Sequence, residues 1–206
     1  MKTDVRKFKM LVALAALLLG STVLRAQADW KAGIGYAETR FHGADASAFL
    51  SEHRLHGFYA GIGREFYFSS LAGLTFEPGV YFYYQSGQND AGATPKFVKM
   101  HYLSLPLFVK YSFDMGPALL ASVATGPVLN LGLIGNLYED NILATNLGEE
   151  PQRHLTRGNV QWGVSVSMVI ANAVQLKVAY AFGVSRLVPE QTVHNNTFSA
   201  GAAFLF

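Results

Sequence analysis

Residues 158–185 read GNVQWGVSVSMVIANAVQLKVAYAFGVS, and this stretch decides the fold. Val160, Trp162, Val164, Val166, Met168 and Ile170 fall on one parity, while Asn159, Gln161, Gly163, Ser165 and Ser167 fall on the other. After Ala171-Asn172-Ala173 the alternation resumes, with Val174, Leu176, Val178, Tyr180 and Phe182 set against Gln175, Lys177 and Gly183. A side-chain period of two is that of a β-strand, and two such runs across a three-residue gap predict an antiparallel hairpin with one apolar face.

The same reading extends in both directions. It marks eight strand-like segments, at about 30–40, 55–68, 72–85, 98–113, 118–134, 158–170, 174–185 and 197–206. In the third, Leu74, Phe76, Val80, Phe82 and Tyr84 share a face opposite Thr75, Glu77, Gly79 and Gln85. In the fourth, Leu103, Leu105, Leu107, Val109 and Tyr111 oppose Ser104, Lys110 and Ser112. The last carries Phe198, Phe204 and Phe206 against Thr197, Ser199 and Gly201. Thr125-Gly126-Pro127 interrupts the fifth segment, where proline cannot donate to a ladder, and predicts a bulge or bend there. Arg64 shares a parity with Phe58, Ile62 and Phe66, which a bulge or a side chain reaching for a headgroup would explain.

The connections alternate in length. Segments two and three, four and five, and six and seven are joined by three or four residues; the stretches near 39–54, 86–97, 135–157 and 186–196 are long. Tight turns at one end and long loops at the other are the layout of an eight-stranded, up-and-down transmembrane β-barrel of the outer membrane, all-β and antiparallel. That layout puts both termini in the periplasm.

The N-terminus reads as a cleaved signal peptide over 1–28, leaving a barrel domain over 29–206. Lys2, Arg6, Lys7 and Lys9 precede the apolar run MLVALAALLLG at 10–20, and Ala26-Gln27-Ala28 supplies the cleavage pattern. These 28 residues hold five of the 16 Lys and Arg and one of the 14 Asp and Glu, so the remainder has 11 against 13, a charge of −2. The apparent basicity is therefore no argument for nucleic acid. The chain has no cysteine, which excludes disulfides, thiolate metal sites and a lipoprotein anchor.

In hydrocarbon every backbone N–H and C=O must be paired internally, which a closed barrel achieves. The Leu, Val, Phe, Tyr and Trp column suits lipid, with Trp30, Tyr36, Tyr84, Tyr111, Phe113 and Phe206 near strand ends as interfacial girdles. The opposite column, of Gly, Ser, Thr, Gln and a few charges, would fill a narrow lumen. Lys31, Glu65, Glu77, Lys110 and Lys177 form its predicted polar network; buried charges must be paired, so a salt-bridge cluster that holds the barrel shut is favoured over a polar pathway. The soluble rival is a lipocalin-like barrel with the apolar column inward, which leaves the sorted loop lengths unexplained.

Tyr102-Leu103-Ser104-Leu105-Pro106-Leu107-Phe108-Val109-Lys110-Tyr111 resembles the strand signature of PorT-like outer-membrane β-barrel proteins, and 57–87, with Glu77-Pro78-Gly79-Val80-Tyr81, is similar to that family as well. Family members often carry an acid where Ser104 stands. The resemblance implies an outer-membrane barrel in contact with lipid, a C-terminal Phe206 read by the barrel-assembly machinery, and protein-export components as partners. Fold alone does not imply a function.

Neither a cofactor nor a catalytic or metal-binding residue is predicted. His53 and His56 have a ligand-like spacing, but no cysteine joins them. His101 and Ser104, three apart on a strand, face opposite sides, and no Gly-x-Ser-x-Gly elbow occurs. The loop over 135–157, with Glu139, Asp140, Glu149, Glu150, Arg153, His154 and Arg157, could meet an extracellular partner or be plain solvated loop. Asn195-Asn196-Thr197 is read as a chance sequon. The expected function is thus a non-enzymatic structural or interaction barrel, with the role accessory to export that the resemblance implies; a small-solute porin or transporter, and an outer-membrane lipid or peptide hydrolase, are the alternatives.

Overall fold

A computed structural model describes residues 29–43, 54–68, 71–89, 96–139, 142–146, 157–187 and 192–206. The expected signal segment and the loop residues Ser69, Ser70, Asp140, Glu149, Glu150, Arg153, His53 and His154 lie outside them. Nine strands are described: β1 Asp29–His42, β2 Arg54–Tyr67, β3 Leu74–Asn89, β4 Lys96–Gly116, β5 Leu119–Glu139, β6 Ile142–Asn146, β7 Gly158–Ile170, β8 Val174–Gly183 and β9 His194–Leu205.

Eight of these close into one antiparallel barrel. Each of β1 to β5 and β7 to β9 pairs with its neighbour along the chain, and β1 pairs with β9 to complete the ring. Trp30 and Phe206 exchange two backbone hydrogen bonds, of 3.0 and 2.8 Å, at the seam. All eight predicted segments are barrel strands. The ninth, β6, pairs antiparallel with the end of β5 within the stretch read as a long loop; five residues without marked alternation are too short for the pattern to announce.

The tight turns gather at the end that holds both termini. In the β7–β8 turn Ala171 and Asn172 both have positive φ, 51° and 53°, and Ala173 N donates to Ile170 O at 3.1 Å. This is the left-handed two-residue geometry whose twist matches that of the flanking strands.

Parity assigns the faces as expected. On β7 the burial alternates at every residue, with Gln161 and Ser165 buried and Val160, Trp162, Val164 and Val166 exposed. β8, ten residues long, spans about 33 Å along its axis and about 25 Å across a bilayer once tilted. An apolar exterior on a ring with no open edge, fitted to the hydrocarbon thickness, defines a transmembrane β-barrel and reverses the inside-out pattern of a lipocalin-like one.

Neither place where a bulge was one of the expectations shows a register shift. The β5 ladder runs without a shift through Thr125-Gly126-Pro127; the register shifts of β4–β5 fall instead at His101/Tyr102 and Asp114/Gly116. Close approach explains Gly126, since a Cβ there would strike the Leu107 carbonyl. No bulge moves Arg64 either. It keeps its outward parity, with its guanidinium 5.3 Å from the Trp30 ring and 4.8 Å from the Phe66 ring.

Candidate functional site: the closed lumen

The structure brings Lys31, Glu65, Glu77, Lys110 and Lys177 together in the lumen, towards the tight-turn end. β1, β2, β3, β4 and β8 each contribute one inward residue, and all but Lys177 are almost wholly buried. Lys31 Nζ lies 2.6 Å from Glu77 Oε2 and 3.4 Å from Glu65 Oε1. Lys110 pairs closely with Glu65 and reaches Glu77 Oε2 at 3.5 Å. Lys177 Nζ donates to Glu77 Oε1 at 2.6 Å and sits 4.6 Å above the Phe108 ring.

Removing an ion from water costs several kcal/mol, so this arrangement persists only if each charge is paired. Glu77 meets three ammonium groups and Glu65 two. The third lysine leaves the five groups one positive charge in excess, and the π face of Phe108 offsets part of it. Gln175 extends the network: it accepts from Lys31 at 3.1 Å and donates to Ser167 Oγ at 3.0 Å.

Above the charges lies a layer that the sequence reading missed. Tyr59, Tyr81, Tyr83 and Tyr102 have inward parity and form a contiguous cluster over β2, β3 and β4, with Tyr81 edge-on to Tyr59. Tyr83 and Tyr102 have centroids 4.8 Å apart at 11°, and Tyr59 and Tyr83 5.2 Å apart at 23°. The lumen is therefore not filled mainly by small polar residues, as expected. The small residues make room for the rings: a Cβ on Gly35 would come within 2.6 Å of Tyr59 Cε1. The tyrosines' alternate spacing on β3 was the available signal, masked because tyrosine also suits a lipid interface.

Nearer the long loops a neutral polar layer follows. Thr39 and Thr197 hydroxyls lie 2.9 Å apart, and Gln161 links Asn130 Nδ2 at 2.9 Å to the Asn195 carbonyl at 2.8 Å. The chance sequon thus lies in a barrel strand, with Thr197 buried. Inward Phe41, Leu55 and Val98 are buried at this end. A cavity of about 70 Å³ beside Tyr102, Phe108, Gln161 and Lys177 has room for about two waters.

On the outer surface, His101 faces outward beside Phe82 and Tyr84 while Ser104 is buried in the lumen, so the two are apart. His56 Nδ1 is bonded to the Tyr36 hydroxyl at 2.5 Å, and His194 Nδ1 lies 3.1 Å from the backbone carbonyl of Ser185, not from its hydroxyl. Groups of three or more potential metal-ligating side chains are absent among the described residues.

A closed eight-stranded antiparallel barrel with a lipid-facing exterior and a filled lumen is the class that fold and site define. No family description matches the chain, and no curated protein matches it. Solved structures similar in fold include Neisserial surface protein A, at 15% identity over 87% of this chain and 97% of that one, TM-score 0.46. They also include the attachment invasion locus protein Ail of Yersinia pestis, at 11% identity over 87% and 99%, TM-score 0.47. The outer membrane enzyme PagL is a third, at 16% identity over 85% and 97%, TM-score 0.47.

Proposed function

We propose that the chain is a non-enzymatic barrel of the outer membrane, with both termini in the periplasm, that acts as a scaffold for its long loops rather than as a conduit. The observation that carries this is the filled lumen: five interlocked charges, four tyrosines and a polar layer succeed one another along it, and the cavity described among them measures about 70 Å³. A hydrated solute has no continuous path through such a stack. The apolar exterior and closed backbone support membrane insertion, and the clustering of tight turns with both termini supports the orientation.

The resemblance of 102–111 to PorT-like proteins gives the finer reading, an interaction partner of protein-export components. Assembly through the barrel-assembly machinery, with Phe206 as its signal, belongs to the same reading. Membrane fractionation with heat-modifiable gel migration, followed by planar-bilayer recording, tests the proposal. Heat-modifiable membrane protein with negligible conductance is expected. A soluble product refutes membrane insertion, and a steady open-channel current refutes the closed lumen.

A further inference from the structure

The outward face at the long-loop end holds a charge arrangement that the barrel itself does not need. Arg40 of β1 and Arg54 of β2 are directly opposite in register. Both point outward, because their neighbours Thr39 and Leu55 are buried in the lumen. Like charges directly opposite on adjacent strands destabilise the pair. Histidines extend the patch: His56 is opposite Glu38, and His42 of β1 is opposite His194 of β9 with ring centroids 5.7 Å apart.

The carboxylate described in this patch is Glu38. Its Oε1 takes Arg40 Nε at 2.5 Å and its Oε2 lies 3.8 Å from His56 Nδ1. Glu38 therefore faces two guanidinium groups and the His56 imidazole, with the His42–His194 pair further along the strands. The bond to Nε uses one edge of the Arg40 fork and steadies it beside Arg54.

Position specifies the counter-ion. Ile34, Tyr36 and Phe58 form the exposed apolar belt just below, and Arg40 is four residues beyond Tyr36 on β1. That separation is about 13 Å along the strand and about 10 Å in height, at the level of lipid headgroups. At the opposite rim the outward guanidinium of Arg64 is instead held between the Trp30 and Phe66 rings.

We propose that Arg40 and Arg54, flanked by His42, His56 and His194, bind the phosphate of an acidic glycolipid headgroup in the leaflet at the long-loop end. A phosphate accepts from two guanidinium forks at once and turns their repulsion into a bridge. The inference rests on the membrane reading above, which heat-modifiable migration checks separately.

The full chain is refolded into zwitterionic micelles that contain phosphorylated lipid A or its dephosphorylated form, and retained lipid is counted by native mass spectrometry. The folded protein retains the phosphorylated lipid about tenfold better, the worth of one charge-assisted hydrogen bond. The R40Q/R54Q variant loses that preference, R40K/R54K keeps part of it, and R64Q at the other rim keeps all of it. Inorganic phosphate at the same concentration leaves the lipid in place. Equal retention of the two lipids by a folded, heat-modifiable barrel, or an unchanged preference in R40Q/R54Q, would overturn the site alone. Failure to insert at all overturns the membrane reading and the site with it.

Discussion

Lys177 Nζ and Glu77 Oε1 lie 2.6 Å apart, although β9, β1 and β2 separate their strands in the sheet. The contact is therefore made across the lumen, not along the wall. It ties opposite sides of the ring together, and with Lys31 and Lys110 it makes Glu77 the common partner of three strands.

Glu77→Gln leaves three buried ammonium groups facing a single carboxylate. Breaking a buried pair in this way costs about 3–5 kcal/mol. The folded gel band is expected to disappear at a distinctly lower temperature, with conductance still negligible. A clear change in conductance with unaltered thermal stability contradicts the structural role.

The tyrosine layer makes the opposite prediction. Replacing both Tyr83 and Tyr102 by alanine removes the stacked rings that block the middle of the lumen. Each aromatic truncation costs about 3–5 kcal/mol, and the variant that still folds should admit ions. Single-channel recording reads the outcome, and the wild type under the same conditions is the control.

Val164 is exposed near the middle of β7. In water, Val164→Arg would be nearly silent. In a bilayer a lipid-facing arginine at mid-depth costs about 2–4 kcal/mol. Reduced folding yield in vesicles is expected, and unchanged yield and stability would speak for a soluble barrel.

Ala171 has φ of 51° in the β7–β8 turn, a conformation that L side chains other than Asn and Asp seldom adopt. Ala171→Gly relieves this and is expected to stabilise the barrel by about 0.5–1 kcal/mol. Denaturant unfolding from vesicles measures it.

Phe206 can be separated from the seam it closes. Phe206→Ala keeps the two backbone bonds with Trp30 and removes only the exposed ring. If the ring is an assembly signal, folding in cells falls while unassisted refolding into detergent is little changed. An equal defect in both would assign the ring to packing instead.

Much of this architecture was legible in the chain because its signals are local. Alternation on β7 and β8 and the three tight connections required only neighbours in sequence. The inward parity of Glu77, Lys110 and Lys177 followed from the same count. Less legible were features that depend on what stands opposite. Thr125-Gly126-Pro127 looked like a break, yet β5 passes through it unshifted because Gly126 admits the Leu107 carbonyl of β4. The stacking of Tyr59, Tyr83 and Tyr102 depends on the register of β2, β3 and β4, which puts them directly opposite one another and which alternation within one strand does not specify.

By itself, then, the sequence determined the strand count, the faces and the sorting of loops, because a period of two and the placing of turn residues act over a few residues. Strand register and closure decided the rest. The register of β1 to β4 put Lys31, Glu65, Glu77 and Lys110 within reach of one another, and only when β1 met β9 did Lys177 of β8 reach Glu77 across the lumen. Arg40 and Arg54 came into opposition through the β1–β2 register, which a period of two does not specify.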